Sequence, residues 1–124
     1  MLHYESKRKV SFEIYINNDG SSPFEDWYRS LPAKDAHKLD ALIERIEYYG
    51  IPTALRMQWV KKLDNEIWEI RSQQSNNIQR ACYFHFNGIQ YIITHGFTKK
   101  TQKTPRPEIE RAHRIKNLYE QEEH

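Results

Sequence analysis

Between positions 94 and 110 the chain reads Thr-His-Gly-Phe-Thr-Lys-Lys-Thr-Gln-Lys-Thr-Pro-Arg-Pro-Glu-Ile-Glu. An apolar strand over residues 89–97 leads into four cations, Lys99, Lys100, Lys103 and Arg106, and a proline-capped helix follows. A strand end that delivers fixed cations to a helix N-terminus suits phosphate. The hydroxyls of Thr98, Thr101 and Thr104 can donate to the same oxygens. Taken alone, such a loop also reads as a solvated basic turn.

Two wider features favour phosphate. The net charge of +2 hides a segregation: residues 56–106 carry nine Lys/Arg against three Asp/Glu, a net of +6, while residues 1–55 and 107–124 each carry −2. The predicted strands lie mainly in the basic segment, so the sheet is basic and the helices are not, which is the footprint of a polyanion ligand. Arg71 falls at the end of one predicted strand, Arg80 near the start of the next and Lys99 at the end of a third. In an antiparallel meander those positions meet at one edge, though up to 28 residues apart in sequence. Arginine binds phosphate bidentately and lysine supplies a compact charge. Cations gathered round one phosphate suit a transition state with extra negative charge.

The elements that must place these residues follow from periodicity. Residues 10–16 alternate as a half-buried strand, closed by Asn17-Asn18-Asp19-Gly20. Ser22-Pro23-Phe24-Glu25 starts a short helix with a capping box. Leu31-Pro32 starts a longer one to Tyr49, with Ala36, Leu39, Leu42, Ile43, Ile46 and Tyr49 as its apolar stripe, Gly50 as its stop and Pro52 against resumption. Three strands follow, within residues 60–71, 78–86 and 89–98, the last two joined by an Asn87-Gly88 hairpin. A helix over residues 107–122 turns Ile109, Ala112, Ile115 and Tyr119 or Leu118 inward. The order β-α-α-β-β-β-α predicts an α+β fold: one antiparallel sheet, helices on one face, the other face open.

Length and composition set the bounds. The 124 residues suit a single domain with a real core. Aromatic content of 13% is too high for a disordered chain. No apolar run is long enough to span a membrane, and the first residues lack the apolar stretch of a signal peptide. Cys82 is the sole cysteine, so a disulfide framework is excluded and a cytoplasmic location is expected. Cys82 itself reads as a buried thiol rather than a nucleophile.

Taken together, Ile67-Trp68-Glu69-Ile70-Arg71, Arg80-Ala81-Cys82-Tyr83-Phe84, the His95-to-Pro105 block and Glu108-Ile109-Glu110-x-Ala112 resemble the HigB branch of the RelE/ParE toxins, which has many phage-encoded members. The Ser-Pro-Phe-Glu-Asp-Trp and Leu-Pro helix starts match too, so the resemblance spans nearly the whole chain. It implies the toxin of a type II toxin–antitoxin system that cleaves mRNA in the ribosomal A site. Its implied partner is a helix-turn-helix antitoxin, through which alone operator DNA would be bound. The implied chemistry is attack of a 2′-OH on its own 3′-phosphate, giving a 2′,3′-cyclic phosphate and a 5′-OH. Basic residues of RelE-type nucleases match Arg71, Arg80 and Lys99, whereas Glu69 stands where RelE has a second lysine, and a tyrosine after RelE's last strand has no clear match. Lys61, Lys62, Lys100, Lys103 and Arg106 are the expected RNA contacts.

The reaction needs a base and an acid. Glu69, His95, Lys99 and Lys100 are candidates for the base. Glu69 also reads as a salt-bridge partner of Arg71 or Arg80, and His95, with Ile93 and Phe97 expected on its side of the strand, as a satisfied core histidine. His85 reads as structural. Neither histidine has metal-ligand spacing, so no metal or other cofactor is expected. Trp59, Trp68 and Tyr83 are candidates for base stacking but read chiefly as core. Two other readings stay open: a ParE-like toxin that inhibits DNA gyrase without catalysis, and an RNA-binding module without catalysis.

Overall fold

The computed structural model describes residues 8–122. Strand β1 (Ser11–Ile14) keeps the expected alternation: Phe12 and Ile14 pack on one core, and Tyr15 just beyond turns to another. Helix α1 (Pro23–Tyr28) starts as its sequence dictates, with Ser22 Oγ accepting the Glu25 N–H at 3.2 Å and Pro23 in the first turn. Helix α2 (Ala33–Tyr49) buries Leu39, Leu42 and Ile46, while Tyr49, expected inward, is exposed. Gly50, at φ 93°, ends it. Helix α3 (Ile51–Arg56) follows at once. Pro52, expected to forbid a helix, lies in its first turn, where a missing N–H costs nothing.

Strands β2 (Val60–Lys62), β3 (Trp68–Gln74), β4 (Asn77–Asn87) and β5 (Gln90–Lys99) form a meander, and α4 (Arg106–Gln121) closes the fold. Asn87 pairs with Gln90, so the two-residue loop is Gly88-Ile89, one position later than expected, with Gly88 at φ 54°. The α+β class and the single sheet stand, with α3 and β2 added to the predicted order.

Two features of the prediction are corrected. The sheet, ordered β1-β5-β4-β3-β2, is mixed rather than antiparallel, because β1 pairs parallel to β5. The helices carry the chain from β1 across to the far edge, and the reversals from β2 onward bring β5 back alongside β1 pointing the same way. The helices also cover both faces. Leu39, Leu42 and Ile46 meet Ile70, Ala81, Tyr83 and Ile93 on the first face. Ala112, Ile115 and Tyr119 of α4 meet Cys82, Phe84, Ile92 and Phe97 on the second. Consecutive apolar residues such as Ala81-Cys82-Tyr83-Phe84 supply both cores from one strand.

A register shift at Cys82/Tyr83, where Cys82 faces His95 and Tyr83 faces Ile93, breaks the alternation of β5. It turns Ile93 to the first core and leaves His95 with Phe97 on the second face, so the expectation that all three share a side is also corrected. Among the described residues no helix is long and apolar enough to cross a membrane.

Candidate functional site

Register places the charged residues in two neighbouring rows across the second face. Lys61, Glu69, Cys82 and His95 form one row from β2 to β5, and Arg71, Arg80 and Phe97 form the next. The expected meeting of Arg71 and Arg80 is thus met by direct pairing of β3 with β4. Lys99 lies two residues beyond Phe97, opposite Ile78, with its side chain exposed.

Glu69 is the hub. It is fully buried, and Arg71 Nε approaches its Oε2 at 3.0 Å, an approach of charges off the hydrogen-bond axis. Its Oε1 accepts the Thr104 hydroxyl at 2.7 Å. Thr104 in turn accepts from Arg80 Nη1 at 3.0 Å. Burial pushes the Glu69 carboxyl up from its ordinary value, against the opposing pull of Thr104, Arg80, Arg71 and Lys61. Arg80 is pulled down by the same desolvation, with Glu69 opposing. Its guanidinium also lies 6.0 Å from the Phe97 ring centre.

The second face is therefore not open at this point. Residues 100–105 fold over it and supply backbone acceptors: Thr101 O takes Arg80 Nη2 and Gln102 O takes Arg71 Nη2. Arg80 ends 0% exposed, whereas the Arg71 side chain keeps 16%. Thr104, whose hydroxyl was expected to serve phosphate, instead links Glu69 to Arg80.

Of the two arginines, Arg71 reaches open space. It lines a cleft of about 490 Å³ together with Lys61, Gln58, Gln73, Gln102 and Ile78. Lys100 and Lys103 are exposed on the covering loop, and Arg106 is exposed at the start of α4 beside Glu110 at 3.7 Å. Lys62 pairs opposite Trp68 and so belongs to the other side of the sheet from Lys61.

His95 lies apart from the hub. It is fully buried, with Nδ1 2.9 Å from Thr94 Oγ1 and Nε2 3.0 Å from Glu108 Oε1. A Glu108 carboxylate requires Nε2 to donate, which leaves Nδ1 to accept from Thr94. Burial, reinforced by the charge of Arg111, pushes the imidazole down to about 4. Cys82 is buried and its thiol is raised by desolvation, as a structural cysteine's would be. Tyr83 is core, and Trp59 and Trp68 pack partly buried against the first cluster. His85 is exposed, and its Nε2 lies 2.8 Å from Gly88 O. Among the described residues no group of three or more His, Cys, Asp or Glu side chains is placed to hold a metal ion.

The family described as phage-derived protein Gp49-like (DUF891) matches residues 26–117. No curated protein matches the chain. The matched span runs from α1 into α4 and contains Lys61, Glu69, Arg71, Arg80, Thr104 and the loop between β5 and α4. The chain accordingly belongs to the Gp49-like phage-derived proteins, a family of RelE/HigB-like toxins.

Proposed function

We propose that the protein is the toxin of a type II toxin–antitoxin pair and cleaves mRNA on the ribosome. The observation that carries this reading is the cleft beside the buried Glu69, with Lys61 and Arg71 in its wall. A phosphodiester seated there meets a compact cation and a planar guanidinium. The 2′-hydroxyl gives its proton to solvent as its oxygen attacks the adjacent phosphorus, the 5′-oxygen leaves with a proton taken from solvent, and the charge gained by the phosphorane is drawn towards Lys61 and Arg71. Lys99 and Lys100, exposed just beyond, extend the positive rim along the RNA.

In this reading Glu69 aims Arg71, and Thr104, itself bonded to Arg80, fixes the Glu69 carboxyl in place. On the same reading His95 transfers no proton, being enclosed beneath α4 with both ring nitrogens engaged. A helix-turn-helix antitoxin is the proposed partner, and operator DNA is reached through it.

The test is single-turnover cleavage of mRNA on programmed ribosomes, run beside a gyrase supercoiling assay. The wild-type chain should cut message and leave supercoiling untouched. Arg71→Ala should slow cleavage by a factor of roughly 10²–10³, the usual effect of removing one transition-state contact. Intact mRNA together with inhibited gyrase would instead establish the non-catalytic, ParE-like reading.

A further inference from the structure

Helix α4 treats its cations unequally. His113 lies 2.6 Å from Asp64, Lys116 pairs with Glu120 at 2.8 Å and Glu66 at 3.6 Å, and Arg106 pairs with Glu110 at 3.7 Å. Arg111 and Arg114 are exposed, and neither pairs with a described residue. Their nearest helical acids are committed elsewhere: Glu108, one turn before Arg111, to His95, and Glu110, one turn before Arg114, to Arg106. Like charges at this spacing weaken a helix slightly, so folding does not account for them.

These two arginines line a cleft of about 500 Å³ together with Asn17, Asn117, Leu118 and Pro23. The lining holds no acid. The cleft lies on the opposite flank of α4 from the side tied to Asp64 and Glu66, and shares no residue with the cleft of Lys61 and Arg71.

We propose that Arg111 and Arg114, with the amides of Asn17 and Asn117, form a second phosphate-binding site that holds a single-stranded RNA backbone away from the site of cleavage. The two Arg residues stand about 4.5 Å apart along the helix axis, close enough to grip one phosphate or two successive ones. The amide side chains add donors, and the half-exposed Leu118 offers apolar surface to a ribose. The same uncompensated charges help hold the buried His95 below its ordinary value. This inference takes only the choice of anion from the nuclease reading.

The test is fluorescence anisotropy of the full chain with a labelled single-stranded 2′-O-methyl oligonucleotide, which lacks the attacking hydroxyl and so reports binding alone. For each variant the affinity is followed against salt. Arg111→Ala/Arg114→Ala should weaken binding and make the log–log salt slope shallower by about 1.4, two contacts at about 0.7 each. Arg111→Lys/Arg114→Lys should keep most of that slope. Both residues are exposed, and a circular dichroism melt verifies the fold. Isotherms of the alanine variant that superimpose on the wild type at every salt concentration would overturn the proposal. If the wild type binds with the expected slope and the alanine variant loses it, yet no mRNA is cut on ribosomes, the second site stands and the nuclease reading falls.

Discussion

At the scale of single residues, Glu69 decides how the site is organised. A buried carboxylate between two guanidiniums is held for orientation, and removing it leaves both cations short of a partner. Glu69→Gln keeps an acceptor for Thr104 and should cost cleavage about tenfold, below the roughly 10²–10⁴ that a lost general base would cost. A loss beyond a thousandfold, with RNA affinity and melting curve unchanged, would make Glu69 the proton acceptor instead. His95 gives a prediction in pH. Unfolded, the ring titrates near 6.5; folded among Thr94, Glu108, Arg111 and Arg114 it titrates near 4. Between those values the unfolded chain takes up a proton that the native chain refuses, so stability is full above about pH 6.5 and falls as pH drops towards 4, by roughly 3 kcal/mol. Thermal melts across that window should show the fall, and His95→Gln should flatten it. Glu69 acts in the opposite sense: its raised value makes the native state the better proton acceptor, so its ionisation weakens the fold as pH rises. The meeting of Arg71 and Arg80 was legible from strand positions and Glu69 as an ion-pair partner from its place on the same strand, whereas Lys99, expected to converge with the two arginines, lies exposed two residues beyond Phe97. The burial of Glu69 and the arginines was not legible, because it comes from residues 100–105, whose backbone carbonyls carry no mark of side-chain type.

At the scale of elements, the glycine of the His-Gly-Phe block has a packing reason. A Cβ built on Gly96 would come within 2.1 Å of Cε3 and 2.3 Å of Cζ3 of Trp27, so α1 rests directly on the β5 backbone. The contact is fixed by a chain of hydrogen bonds: Trp27 Nε1 donates to Thr98 Oγ1 at 3.1 Å, Thr98 to Gln79 Oε1 at 2.6 Å, and Gln79 Nε2 to the buried Asp35 at 2.5 Å. Gly96→Ala should therefore cost about 1–3 kcal/mol by overpacking and lower the melting temperature by several degrees. Trp27→Leu in the same chain should recover part of that loss; strict additivity of the two would show that the ring is not the obstacle. Helix starts at Ser22-Pro23 and the stop at Gly50 were readable because caps are local chemistry. Helix α3 was not, because Pro52 serves equally as a barrier and as a first-turn residue, and tertiary packing of Ala54 decides between them. The parallel partner of β1 was beyond reach for a similar reason: alternation tells which side of a strand is buried and nothing about its neighbour.

At the scale of the whole molecule, the charge map of the sequence becomes a surface. Lys61, Lys99, Lys100 and Lys103 are exposed on β2, the end of β5 and the covering loop, around the cleft that Arg71 lines. Arg80, counted in the same basic segment, is spent internally against Glu69 and adds little to that field. Binding to ribosomes should weaken steeply with salt, with a slope of roughly −3 to −4 if Arg71 and these lysines each meet a phosphate. Sedimentation with ribosomes at rising salt measures it. A flat response from low to physiological salt would remove RNA phosphate as the partner of this face.

The parallel pairing of β1 with β5 also orders events in time. β1 is an edge strand that emerges early, yet its partner begins only at Gln90, and the hydroxyl that joins Glu69 to Arg80 arrives with Thr104. Contacts so far apart in sequence close late. During synthesis the sheet stays unfinished until β5 has been made, and Glu69 stays unlinked to Arg80 until Thr104 follows. The cluster of Glu69, Thr104 and Arg80 is thus among the last parts of the fold to be completed.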